Sequence, residues 1–546
     1  MAWIRTIIFI TIFILSNFPI YSQNWSWATK AKTTAKQTAN KICSDNAGNV
    51  YVLGNNKGKA SYGSAQLDTG SFVVKYNSYG NVQWARNIPG VAVDISSDVY
   101  GNLFLAGNFT GSISVGSITI TSNGSGDFFL AKFNASGLVV WAKSFGGKSN
   151  DKVLSLAVDK KDNAYITGFY KDSIYFGNTT LKDSTSYGFT SFFLTKIDSS
   201  GIVKWATSGP NNYPFTGNGV YSFAYTYGSC IRITKSQDIF TIGCATWPNS
   251  PAPEIFITKY NSFGAVKLNI TPGGGDWSDS FSQETFALDD SSNIFHIWNS
   301  ATHYSYAPEL IKYDSLGRIK WQRAMSDGGY DPAYVIEYGL STDSLGNVYT
   351  TGYIGNSRVR DTLQICNQQL HIKGGTDLLV GKFDANGVCS WYKTAGGRNG
   401  EGVEPLNMCV DRKGNCYVIG AYNVSQNNIS SDTAYFDSNI IYNDGGWSQV
   451  FVAKLSVENP ATGVYESFNE KNELSVYPNP TKGMFTIESK RIISSIEIRN
   501  ITGGKIKSFY PAVSKTTIDI SDKPAGVYLI AIIYGSEKVI RKIIIE

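Results

Sequence analysis

The chain has 546 residues, too many for one ordinary domain. Apolar residues make up 42% and charged ones 17%, which excludes global disorder, while 14% aromatics and 54 glycines favour strands joined by tight turns. The net charge of +5 lies in residues 474–546, with eleven basic and six acidic side chains; residues 24–473 sum to −1 and offer no electrostatic footprint for nucleic acid.

Residues 1–23 read as a secretory signal peptide: Arg5 gives the positive start, residues 7–15 the short apolar run, and Ser22 the small residue for cleavage. The run is too short to span a bilayer comfortably, and no other segment approaches that length, so no transmembrane segment is expected in the mature protein.

Residues 24–455 are dominated by a repeat. Its first element reads Asp-x-x-Gly-Asn-x-aromatic and ends in Gly, as at 45–54 (DNAGNVYVLG), 98–107, 343–352 and 411–420, with weaker copies at 159–168, 235–243 and 289–299. Asp bonds amides two residues on and Gly takes the left-handed turn position, so each copy is a β-hairpin. A Ca²⁺ role for these Asp is disfavoured, because each turn brings one or two carboxylates where Ca²⁺ takes six to eight oxygens.

The second element reads Lys-aromatic-Asn/Asp-x-x-Gly-x-Val-x-Trp, beginning at Lys75, Lys132, Lys196, Lys259, Lys312 and Lys382, with Leu268 replacing Trp in one copy and Cys389 replacing Val in another. The two bulky positions share one face of a strand. A seventh Lys, Lys454, has no such strand after it, while Trp25-Ser26-Trp27-Ala28 supplies one at the other end of the chain. Borrowing the first strand for the last unit removes exposed sheet edges. The expected fold is all-β: a seven-bladed β-propeller closed by the N-terminal strand. These units resemble the bacterial β-propeller repeats called SBBP repeats, whose members are extracellular or surface proteins mostly without assigned activity.

Seven Cys leave at least one unpaired within the chain. Cys409 and Cys416 flank one hairpin turn and Cys230 and Cys244 another; each pair is either a cross-strand disulfide or two buried thiols. The three His (His296, His303, His371) share no metal-ligand spacing, and neither a nucleophile elbow nor a phosphate loop is present. No catalytic, cofactor or metal residue is assigned. Six Trp recur at one repeat position, whereas Trp247, Trp277, Trp298 and Trp447 lie off it, in stretches rich in Gly, Ser, Pro and Tyr, and are the candidate ligand-face aromatics.

Residues 456–473 form a polar linker, and 474–546 a separate small β-sandwich of Ig-like type. This tail carries Tyr477-Pro478-Asn479-Pro480, Gly483, a Gly503-Gly504 turn, Gly526 and Tyr528 within Pro-Ala-Gly-Val-Tyr, and a basic end at Lys538, Arg541 and Lys542. It resembles the type A C-terminal sorting domain of the type IX secretion system of Bacteroidetes. The resemblance implies that secretion machinery as partner and a secreted or outer-membrane cell-surface location. The expected function is a non-catalytic glycan- or protein-binding or adhesion module; the alternative is a polysaccharide hydrolase or lyase using carboxylates in the propeller funnel.

Overall fold

The computed structural model describes residues 22–183, 190–209, 225–246, 254–270, 285–302, 305–325, 334–355, 362–366, 368–373, 375–397, 402–423, 433–443, 449–458, 474–500, 505–534 and 537–546. They fall into two compact units, Gln23–Val457 and the tail from Glu458.

The larger unit is a succession of antiparallel four-stranded meanders, with strands a to d in chain order. The first is Gln37–Ser44, Val50–Asn56, Gly70–Tyr76 and Val82–Ile88; the second Val91–Ser97, Leu103–Phe109, Asp127–Phe133 and Val139–Phe145. The third is Lys152–Val158, Ala164–Lys171, Thr190–Ile197 and Val203–Ser208; the fourth Tyr225–Ile233, Ile239–Thr246, Glu254–Tyr260 and Val266–Ile270. The fifth is Phe286–Leu288, Ile294–Thr302, Ser305–Tyr313 and Ile319–Ala324; the sixth Tyr334–Thr342, Val348–Gly355, Thr376–Phe383 and Cys389–Gly396. The last has Gly402–Val410, Cys416–Asn423 and Gln449–Glu458, and its fourth strand is Ser22–Lys30 from the N-terminus. Its first strand also touches the sixth meander through one parallel pair, Thr376 with Gly402.

Strands b and c are near-continuous apolar runs, such as Val50-Tyr51-Val52-Leu53 and Phe128-Phe129-Leu130-Ala131, buried throughout. An alternating strand has one wet face; these have none, because each meander packs between two others. The core is accordingly a series of clusters that straddle neighbours, one of them joining Val50 and Phe72 of the first meander to Tyr417 and Val452 of the last.

Among the described residues, small hairpins project from the b–c connections of five meanders, for example Ser112–Val115 with Ile118–Thr121 and Thr433–Phe436 with Asn439–Tyr442. The last of these clamps the closing strand. Asp437 accepts the Trp25 N–H at 3.0 Å, and Asn439 Nδ2 donates to the Trp25 carbonyl at 2.5 Å. Trp25 packs edge-on to Phe436 at 5.1 Å and donates Nε1–H to the Thr394 carbonyl.

The tail unit has a three-stranded sheet, Leu474–Tyr477, Met484–Ile493 and Val513–Asp519, and a four-stranded one, Lys505–Phe509, Ser495–Asn500, Gly526–Tyr534 and Glu537–Ile545. Both contribute to one core, with Phe485, Ile487 and Ile518 meeting Ile496, Ile530 and Ile543.

Candidate functional site

The a–b and c–d turns of a meander lie at the same end of its strands, so the repeat motifs converge on one face of the larger unit, the turn face. The Asp that opens the a–b turn is buried, or half-buried at Asp343, and is held by its own turn. Asp45 Oδ1 accepts the N–H groups of Ala47 and Asn49; Oδ2 accepts Asn49 Nδ2 at 2.8 Å and the Tyr51 hydroxyl at 3.1 Å. Asp98, Asp159, Asp289, Asp343 and Asp411 repeat the Asn bond, and Asp159, Asp343 and Asp411 the Tyr bond, with Phe104 and Phe295 in the Tyr place of the other two. The motif Lys lies over the aromatic ring of the same meander in all seven copies, from Lys75 over Tyr51 at 5.0 Å to Lys454 over Tyr417 at 5.5 Å. Burial lowers the pKa of Lys75, Lys196, Lys382 and Lys454, and the neighbouring Asp opposes the shift. In the fourth meander Thr234 takes the Asp place and Asp238 takes the Asn place, yet the carboxylate still reaches its Lys, Lys259, at 2.9 Å.

The Trp column links neighbours. Trp84 Nε1 donates to the Ala135 carbonyl in the next meander's c–d turn, Trp141 to Ser199, Trp205 to Ser262, Trp321 to Ala385, and Trp27 to Ser78 in the first. The turn Gly lies under that ring: a Cβ on Gly137, at φ +75°, would stand 2.7 Å from Trp84, and one on Gly80 2.8 Å from Trp27. Where Leu268 replaces Trp, the following Gly317 rests on Ile270 instead.

On the turn face, between the a–b turns of the last, first, second and third meanders, Ser44, Ser97, Asn46, Val99, Lys160 and Arg412 surround a recess of about 170 Å³ whose acidic lining, Asp45, Asp98 and Asp159, belongs to the capped set above. Of the inner-strand carboxylates, Asp94 holds Ser155 Oγ and the Leu156 N–H of the next meander, and burial raises the pKa of Glu404. Among the described residues no group of three His, Cys, Asp or Glu is arranged to hold a metal ion. His296 is buried, its pKa lowered to about 4 by desolvation; His371 is exposed, and His303 lies outside the described residues.

Trp247, Trp277 and Trp447 also lie outside the described residues, in connections that join strand ends opposite the turn face. Trp298 stands in strand b of the fifth meander, its backbone opposite Glu309.

Of the two readings left open for Cys409 and Cys416, the structure has the thiols and not the bridge. Cys409 faces Tyr417 and Val410 faces Cys416, so the two Cys are one position out of phase, on opposite faces of the sheet, and both are free thiols. The Cys230–Cys244 pair depends on a Cys244 side chain outside the described residues. A disulfide joins Cys366 and Cys389. Cys366, at φ +52°, holds the hairpin-turn position of Gly63 and Gly116, and Cys389 holds the strand position of Val82 and Val139, the residues those glycines touch. The signal was present in the repeat as a Cys in the Val column.

In the tail, Asn479 stands in for a strand. Its Nδ2 donates to the Lys542 carbonyl at 2.8 Å and its Oδ1 accepts the Ile544 N–H at 2.9 Å, while Thr481 continues the pairing with Ile544 and Glu546. The peptide bonds before Pro478 and Pro480 are cis. A Cβ on Gly483, at φ +99°, would meet the Ser521 Cα at 2.3 Å, and the Tyr528 hydroxyl donates to the Pro524 carbonyl. Tyr477 and Lys542 are exposed and Arg541 is half-buried; Lys538 lies on the last strand, opposite Ile533.

Residues 475–546 match the family described as "Secretion system C-terminal sorting domain". An uncharacterized WD repeat-containing protein of Acanthamoeba polyphaga mimivirus is 23% identical over 479 residues, covering 70% of this chain and 33% of the relative; the chain thus spans a third of that relative's length. Among solved structures, the β-propeller domain of the trilobed protease from Pyrococcus furiosus, described as having an open velcro topology, is 12% identical over 75% of this chain and 96% of that one, with a TM-score of 0.38. A protein of unknown function from Dyadobacter fermentans is 10% identical over 80% and 99%, with a TM-score of 0.36. The tail match marks the chain as cargo of the type IX secretion system, secreted or held at the cell surface. No helix of the described residues is long and apolar enough to cross a membrane.

Proposed function

We propose that the larger unit is a seven-bladed propeller built from SBBP-type repeats, that the tail is an Ig-like sandwich read by the type IX machinery, and that the mature protein is a non-catalytic module binding an extracellular glycan or protein. One observation carries the binding reading: the repeated carboxylates, which a hydrolase would need exposed in pairs, are capped by their own turns and matched to a Lys in each meander. The candidate ligand-face aromatics for this partner are Trp247, Trp277 and Trp447, which the sequence puts in connections between strands. Deleting residues 474–546 should leave the protein in the periplasm, and secretion of the truncated chain would refute the sorting role. The mature chain should retain glycans from an array, or a protein partner, without releasing product from a polysaccharide panel. Turnover that is lost in Glu404→Gln would establish the hydrolase alternative.

A further inference from the structure

We propose that the turn face of the larger unit docks onto an anionic lipid surface. The c–d turns present Tyr79, Leu138, Ile202, Phe263, Leu316 and Val388 to solvent, and the a–b turns add Tyr100 and Leu345; Phe263 is 83% exposed, Leu345 79% and Tyr100 73%. Single exposed apolar residues are ordinary, but these share a position class: the wildcard places of two turn motifs, in six meanders and at one end of the strands. At the opposite end, exposed apolar residues such as Val91, Tyr175 and Tyr442 lie on dissimilar elements.

The adjacency of the turns is fixed by the Trp-to-turn-carbonyl bonds described above and by the Tyr51 hydroxyl, which also donates to the Gly101 carbonyl at 2.7 Å, so the tips form an array around one face rather than a closed groove. Separate tips spread over a face suit a fluid lipid interface, which accepts each side chain independently; a folded protein would need a complementary pocket for each. Charge favours the anionic kind. Lys160, Lys161, Arg412 and Lys413 are exposed on a–b turns with no ion pair among the described residues, whereas Asp159 and Asp411 of those turns are buried and matched and Asp162 is half-buried. The closing strand begins and Gln449–Glu458 ends on this face as well, so docking there leaves the opposite connections free for a partner.

The test is co-sedimentation of the full secreted chain with vesicles of phosphatidylcholine, with and without phosphatidylglycerol. The wild type should bind the anionic vesicles roughly tenfold or more tightly than the neutral ones. A triple variant, Tyr100→Ser with Phe263→Ser and Leu345→Ser, and a charge variant, Arg412→Glu with Lys413→Glu, should each lose about tenfold, with unchanged circular-dichroism melts. The opposite-end variant Val91→Ser with Tyr442→Ser should bind as the wild type does. Equal binding to both vesicle types, no binding to either, or equal loss in the opposite-end variant overturns the inference. A glycan or protein partner retained by the turn-face variants would leave the binding-module reading standing while the lipid surface falls.

Discussion

Trp25→Ala tests whether the N-terminal strand is what closes the ring. Trp25 is 3% exposed, packs on Phe436 and gives up one indole N–H to Thr394, so truncation should cost about 3–5 kcal/mol. The global melt reports this poorly. For a unit spanning Gln23–Val457 the unfolding entropy is about 0.9 kcal/mol/K, so ~4 kcal/mol lowers the melting temperature by only ~4–5 °C. The closing strand, however, is an edge strand paired only with Gln449–Glu458, and it can detach without the rest unfolding. Amide exchange across Gln449–Glu458 should then speed by about a thousandfold, while exchange in Leu103–Phe109 stays at the wild-type rate. Trp321→Ala, in the middle of the chain, is the control and should leave Gln449–Glu458 protected. Wild-type protection of that strand in Trp25→Ala would refute the closure argument.

Gly137→Ala should cost about 2–4 kcal/mol in urea melts, from the left-handed backbone plus the Trp84 ring 2.7 Å from the new Cβ; Gly177→Ala, at φ +59° with open space around it, should cost only ~1 kcal/mol. Alkylation of the denatured, unreduced protein should modify Cys43, Cys409 and Cys416 and spare Cys366 and Cys389; replacing that pair by Gly and Val, the residues of the second meander, should cost about 3 kcal/mol for a bridge 23 residues apart. Burial pushes the Asp151 carboxyl up to about 7, with Asp127 and Asp172 adding to it and the N–H groups of Lys171 and Gly147 opposing; because the folded state holds the proton more tightly, stability from this group is complete below the ordinary carboxylate range and is lost as pH rises to about 7, so the melting temperature should fall from pH 5 to pH 8 and Asp151→Asn should flatten that limb. Asn479→Leu should lower tail stability by about 1–3 kcal/mol and shift cargo from the cell surface to the periplasm, read by fractionation.

The sequence carried the meanders because their motifs are local. Asp45, Gly48 and Asn49 specify a turn within five residues, and the Trp column could be counted without knowing what each Trp touches. It carried the closure as well, since the strand missing after Lys454 has a counterpart at Trp25. Cysteine pairing was less accessible. Flanking a turn places two Cys on paired strands but leaves their phase open, and the strand register sets Cys409 and Cys416 on opposite faces. The Asp437 and Asn439 clamp on Trp25 was hidden for the opposite reason: more than 400 residues separate the partners, and no repeat position announces them.

A repeat hides its functional residues behind its structural ones. Every strongly recurring side chain here has an internal partner: Asp its turn, Lys its aromatic ring, Trp the next turn, and Gly the preceding Trp. A partner outside the chain can therefore be met only at positions the motif leaves unspecified. Tyr100 and Leu345 occupy the same wildcard place as Ala47 and Lys413, and Phe263 the same place as Tyr79 and Ser136. No turn needs an aromatic or aliphatic side chain there, since Ala, Ser and Lys serve the same backbone equally well in neighbouring meanders. Nothing in the fold accounts for exposing Phe263 and Leu345 to water, and stability alone would not distinguish them from serine. That is the reason the serine variants are informative: a loss of vesicle binding at constant melting temperature can come only from what those side chains meet outside the protein.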